Sequence, residues 1–127
     1  MELLLDTHAV LWFFGDVEKL SKSASNAIFN PENDKWISII TAWEIAIKIR
    51  KGNLQFEGGV SELFHLIRKN GFGLLSITEE HVKRLEMLPL LHRDPFDRML
   101  IAQSLAEDMP LVSCDEAFDP YGIQRLW

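Results

Sequence analysis

Short, mostly apolar runs recur along the chain at Leu3–Leu5, Trp36–Ser38, Leu74–Ser76, Leu111–Ser113 and Gln124–Leu126. Between most of them lie longer stretches whose apolar residues fall at i, i+3 and i+4. Ala42, Ile45, Ala46 and Ile49 form one such stripe, Leu63, Leu66 and Ile67 a second, and Leu100, Ile101, Ser104 and Leu105 a third. The first pattern predicts strands buried in a sheet and the second predicts amphipathic helices. Strands that alternate with helices imply right-handed crossovers and a parallel sheet covered on both faces. The expected fold class is therefore α/β, a three-layer sandwich around a parallel sheet of about five strands. Local signals mark where helices begin and end. Thr41-x-x-Glu44 and Ser76-x-x-Glu79 have the form of capping boxes, and Asp94-Pro95 places a capping acid before a proline at the first helical position. Gly52 and Gly71 follow helix ends rich in Lys and Arg, where a left-handed residue and cations are both favourable.

At 127 residues, with no linker, charge block or repeat, the chain reads as one domain spanning 1–127. Its one cysteine, Cys114, excludes an internal disulfide, suits a reducing compartment, and reads as a small buried apolar residue. The first residues, Met1-Glu2-Leu3-Leu4-Leu5-Asp6, carry acids instead of the basic region of a secretory signal. The longest apolar run, Ala9–Phe14, is far shorter than a membrane span. A cytoplasmic domain with no membrane partner is expected. The formal charge of −6, from 13 basic and 19 acidic residues, argues at first sight against a nucleic-acid partner.

In an open parallel sheet, ligands bind beyond the carboxyl ends of the strands, where strand order reverses. Asp6 and Thr7 follow the first predicted strand, and Ser113, Cys114 and Asp115 end the fourth. Glu44 falls in the first turn of the helix after the second strand, and Asp94 and Asp97 open the helix before the fourth. If the first and fourth strands are neighbours, as in the common doubly wound orders, four segments deliver acids to one edge. Such carboxylates either take up protons or hold a hard cation, and oxygen donors select Mg²⁺ or Mn²⁺. A divalent ion held there supports attack of an activated water on a phosphodiester. Each acid also has a structural reading: Glu44 as a capping and ion-pair residue before Lys48, Asp94 and Asp115 as caps, Asp97 as a dipole partner. Asp6 has no local cap or pair to form. No glycine-rich phosphate loop is present. His65 and His81 read as helix-surface residues, and the four histidines lack metal-ligand spacing. The helix around Trp12, Phe13 and Phe14 is apolar on all sides, so part of it should form an interface patch.

Several segments together resemble PIN domains, most of all the VapC-like toxins of bacterial type II toxin–antitoxin systems. They are Leu3-Leu-Leu-Asp6-Thr7-His8, Ser38-Ile-Ile-Thr-Ala-Trp43-Glu44-Ile-Ala-Ile-Lys48 with Gly52-Asn-Leu, His92-Arg93-Asp94-Pro95-Phe96-Asp97-Arg98, and Leu-Val-Ser113-Cys-Asp115 near a C-terminal Tyr121 and Trp127. The resemblance runs through the whole chain in order, and the His92–Arg98 block is its most specific part. It implies a single PIN-like, Rossmann-related domain and a Mg²⁺- or Mn²⁺-dependent endoribonuclease acting on single-stranded RNA or RNA loops. The family's acids fall on Asp6, Glu44, Asp97 and Asp115. Of these, Asp6, Asp97 and Asp115 would hold the ion while Glu44 positions or deprotonates water. Asp94 matches a further recurrent acid, as a ligand, a supporting residue or a cap, and Thr7 and Ser113 are placed to orient carboxylates. Lys48, Arg93 and Arg98 are candidate phosphate contacts. A homodimer and a VapB-like antitoxin, whose tail wraps the toxin, are the implied partners.

The contrasting reading is a catalytically silent PIN-like module that binds RNA or protein. A phosphorelay receiver is disfavoured, since no acceptor aspartate follows the third strand and no lysine follows the fifth. A haloacid-dehalogenase-type phosphatase lacks its second aspartate, since that position is His8. Setting the five site acids aside leaves 14 of the 19 against 13 basic residues. The acidity is therefore concentrated in the pocket, and a bound cation would invert its effect on phosphate.

Overall fold

The computed structural model describes all 127 residues. Five strands, β1 (Glu2–Leu5), β2 (Asp34–Ser38), β3 (Gly73–Leu75), β4 (Leu111–Val112) and β5 (Arg125–Leu126), form one parallel sheet in the order β3-β2-β1-β4-β5. β1 lies at the centre, with Leu5 paired to Ile37 on one side and Val112 on the other. That is why Leu3, Leu4 and Leu5 are all apolar and wholly buried.

Six helices cover the sheet: α1 (Thr7–Gly15), α2 (Lys22–Phe29), α3 (Ile39–Arg50), α4 (Gly59–Lys69), α5 (Glu79–Met87) and α6 (Pro95–Glu107). Short 3-10 turns occupy Val17–Lys19 and Glu116–Tyr121. Strand alternation sorts the side chains into two cores. Leu3 and Leu5 face a cluster with Val10 of α1, Ile28 of α2, Ile45 of α3 and Ile67 of α4, whereas Leu4 faces Leu100 and Ile101 of α6 and Phe118. The three-layer α/β sandwich expected from the sequence is the structure found. The chain builds β2 and β3 to one side of β1, then crosses to place β4 and β5 on the other, so the strand order reverses between β1 and β4.

Several local expectations are corrected. α3 begins at Ile39, capped by the Ser38 hydroxyl, so Thr41 caps nothing and Glu44 lies in the second turn, not the first. β2 passes into α3 with no loop between them, so the apolar first turn Ile39–Ile40 looks like continued strand. α5 is capped by Thr78, whose N–H donates to His81 Nδ1 in a reciprocal capping box; Ser76 and Glu79 do not form one. His81 is fully buried, with its Nε2 2.8 Å from Glu107 Oε1, and so fastens α5 to α6. Cys114 is exposed, because the chain leaves the sheet after Val112. Trp12, Phe13 and Phe14 are half-buried, Trp12 against Trp127 and Phe13 and Phe14 against Phe72. The conspicuous exposed apolar residues are instead Trp43, Met87, Leu90 and Leu91.

Candidate active site

Three of the site acids are held by the helices they begin. Asp6, the last residue before α1, accepts the Ala9 N–H on Oδ1 at 2.8 Å. The sequence reading that gave Asp6 no local cap is thus wrong: β1 ends directly at a helix start, and Asp6 is both the residue after the strand and the N-cap. Asp94 caps α6, its Oδ1 accepting from Phe96 N and Asp97 N at 2.8 and 3.1 Å. Asp115 caps the 3-10 turn by accepting from Ala117 N at 2.9 Å. The positive ends of three short helical segments therefore face acids that would otherwise repel one another.

Asp97 stands in the first turn of α6 and experiences the negative charge of Asp94, Glu44, Asp6 and Asp115. Burial, and then those four neighbours, push its carboxyl up to about 7. Burial also raises Asp6 above the ordinary carboxylate range, against opposing hydrogen bonds from Ser113 and the Ala9 amide. Ser113 is wholly buried, and its Oγ accepts the Asp115 N–H at 3.0 Å, so one hydroxyl links the acids after β1 and β4. No lysine or arginine pairs with Asp6, Asp97 or Asp115.

Glu44 is buried and fixed on both oxygens. Oε1 accepts from Thr7 Oγ1 at 2.8 Å, and Oε2 pairs with Lys48 Nζ at 2.7 Å, the i, i+4 pair that the spacing on α3 allows. Thr7 Oγ1 also lies 3.2 Å from Thr41 Oγ1, so the residue misread as a cap instead supports the site.

His92 joins the acids although its sequence spacing to the other histidines shows no ligand pattern. Its Nε2 lies 3.3 Å from Asp97 Oδ2, and one ligand atom each of His92, Asp97 and Asp115 falls within 4.8 Å of the others. Its Nδ1 accepts the Asp94 N–H at 3.2 Å, which leaves the ring proton on Nε2, directed at Asp97. The His92 N–H donates to Tyr121 Oη at 2.6 Å, and the ring stacks on Phe118. The only sequence signal was its place in the His92–Arg98 block, because no second histidine stands at ligand spacing.

Of the three basic candidates, Lys48 is paired with Glu44. Arg98 donates to the carbonyls of Pro89 and Leu88 at 2.8 and 3.4 Å and so braces the loop before α6. Arg93 is exposed and makes no ion pair. The structure thus brings together Asp6, Thr7, Glu44, Asp94, Asp97, Ser113 and Asp115 at the carboxyl ends of β1 and β4, where strand order reverses. An under-neutralised oxygen cluster of this kind suits a hard divalent cation.

A family model for the PIN domain matches residues 3–123. No curated protein sequence matches the chain. Among solved structures, VapBC2 from Rickettsia felis, bound to a DNA fragment from their promoter, superposes with a TM-score of 0.74 at 15% identity, covering 98% of this chain and 97% of that one. VapBC-1 from nontypeable Haemophilus influenzae gives 0.71 at 16% identity over 98% and 96%. FitAcB from Neisseria gonorrhoeae gives 0.63 at 14% identity over 98% and 96%. At these identities the likeness concerns the fold.

Proposed function

The chain belongs to the PIN domain family, and on that premise we propose that it is a Mg²⁺- or Mn²⁺-dependent endoribonuclease, the toxin of a type II toxin–antitoxin system. The observation that carries the reading is Asp97. A carboxyl pushed up to about 7 by burial and four acidic neighbours, with no Lys or Arg beside it, is one that a divalent cation would relieve. Asp6, Asp97 and Asp115 are the residues to hold the ion, with His92 set to keep Asp97 in place. When bound, the ion supplies charge to a phosphate oxygen and acidifies water.

The remaining steps belong to the chain's own groups. Glu44, immobilised by Thr7 and Lys48, presents a carboxylate with lone pairs still free to orient an attacking water and take its proton. Ser113 keeps Asp6 and Asp115 in register, and Asp94 fixes the first turn of α6 from which Asp97 projects. The test is cleavage of single-stranded RNA by the purified protein with Mg²⁺ or Mn²⁺. It should be lost in EDTA and in Asp6→Ala; cleavage that survives both refutes the proposal, and a folded wild type that never cleaves would favour the silent binding module.

The similarity to toxin–antitoxin complexes supports an antitoxin partner, and the exposed Trp43, Met87 and Leu91 support a protein interface, for which we propose a homodimer. Light scattering at micromolar concentration should give twice the chain mass, and a strict monomer counts against the dimer. No helix is long and apolar enough to cross a membrane.

A further inference from the structure

His92, which meets Asp97 on the acid cluster, also lines a groove of about 710 Å³ formed with Leu85, Leu90, Arg93, Pro95 and Arg98. That volume lies within the range of small-ligand sites. The lining chemistry is unlike the rest of this acidic chain. It holds two guanidinium groups and an imidazole, and none of the 19 carboxylates contributes to it. The Arg98 Nη atoms are engaged by the loop carbonyls of Pro89 and Leu88, while Arg93 is exposed and unpaired. Leu90, at 90% exposure, projects apolar surface that the protein itself does not cover.

An occupant must offer an anion and, attached to it, a flat apolar body that reaches Leu85, Leu90 and Pro95. A nucleotide supplies both in every unit, one base for each phosphate, whereas a peptide does so only where an acidic and an apolar residue are neighbours. We infer that this groove holds the nucleotide next to the scissile phosphate, its phosphate on Arg93 and its base against the three apolar side chains. The inference rests on the nuclease reading of the acid cluster, with which the groove shares the His92 ring. A base inside a duplex is stacked and paired and does not reach such walls, so the substrate is single-stranded at this position.

The test uses the full chain carrying Asp97→Asn, which blocks cleavage, and a short fluorescein-labelled single-stranded RNA followed by anisotropy at low salt. Adding Arg93→Gln should weaken binding roughly fivefold to tenfold and lower the slope of log K against log salt by about 0.7. Leu90→Ser, a neutral change at an exposed position that folding does not need, should weaken single-strand binding severalfold and leave binding of the matching duplex unchanged. In the otherwise wild-type enzyme with Mg²⁺, Arg93→Gln should raise KM and preserve kcat. The groove assignment is overturned if both substitutions leave single-strand affinity unchanged, if no single strand binds at low salt, or if polyglutamate displaces the RNA at equal concentration. Unaltered KM in an active Arg93→Gln enzyme would refute the groove and spare the nuclease. Binding that depends on Arg93 in a protein that never cleaves would refute the nuclease and leave a single-strand site.

Discussion

Replacing Asp97 by Asn should stabilise the metal-free protein, and only where Asp97 would otherwise be ionised. Its carboxyl rises from 3.8 to about 7 on folding, mainly through burial and then through Asp94, Glu44, Asp6 and Asp115. Between those two values the folded chain keeps a proton that the unfolded chain has released. Wild-type stability must therefore fall as pH rises from about 4 to about 7. At 1.36 kcal/mol per unit the shift corresponds to a ceiling of about 4 kcal/mol. The side chain keeps 24% of its exposure, and His92 Nε2 lies 3.3 Å away, so water and the imidazole return part of that cost. We expect a gain of about 2 kcal/mol for Asp97→Asn above pH 7, or roughly 6 °C in Tm. Asp6 tilts both proteins in the same direction, since its carboxyl is also raised, so the difference between them isolates Asp97. The assay is urea unfolding in EDTA from pH 4 to 8, followed by the fluorescence of the four tryptophans. The two curves should converge towards pH 4 and separate fully above pH 7. A gap independent of pH, or a less stable Asp97→Asn protein at pH 8, would refute the electrostatic account of the cluster.

Other outcomes follow from the same geometry. Mg²⁺ at a hundredfold excess over its Kd should stabilise the wild type by about 2.7 kcal/mol and the Asp97→Asn protein much less; equal shifts in thermal melts would place the ion elsewhere. Both Asp6→Asn and Asp6→Ala should abolish RNA cleavage, but only Ala removes the acceptor for the Ala9 N–H, so its urea midpoint should report a loss of about 1 kcal/mol relative to Asn. His81→Ala should cost about 2–4 kcal/mol in urea unfolding, because it opens a buried cavity and leaves Thr78 N–H and Glu107 unpartnered. Cleavage by the folded His81→Ala protein should be unaffected.

The layers and the parallel sheet were legible because burial on two faces forces an apolar run such as Leu3–Leu5, and strands that alternate with helices require crossovers. The edge on which the acids meet was legible because Asp6 and Asp115 follow strands and Asp94 and Asp97 open a helix, whereas Glu44 reaches it from the second turn of α3. What was misread lay in choices between neighbouring residues of equal local merit. Ser38 and Thr41 are both good caps, and only the direct passage from β2 into α3 decides for Ser38. Thr78 with His81 outcompetes Ser76 with Glu79 because an imidazole nitrogen accepts the Thr78 amide, and burial against Glu107 then holds the ring. His92 had no local pattern, since its partners Asp97 and Asp115 meet it only through the fold. The Glu44–Lys48 ion pair was legible in its i, i+4 spacing, whereas Arg98 looked like a free cation until the carbonyls of Leu88 and Pro89 claimed it.

Three of the pocket's acids also begin helices, and this constrains how the sequence can drift. Asparagine caps a helix about as well as aspartate, and alanine does not. A lineage that gives up cleavage while keeping its partner surface can therefore exchange Asp6, Asp94 or Asp115 for Asn at little structural cost, but loses helix starts if it takes Ala. Asp97 begins nothing and strains the fold while unneutralised, so it is the acid that relaxed selection should erase first and with the widest range of replacements. In descendants of this chain, the residue at position 97 should record whether catalysis persists, while positions 6, 94 and 115 record whether the scaffold does.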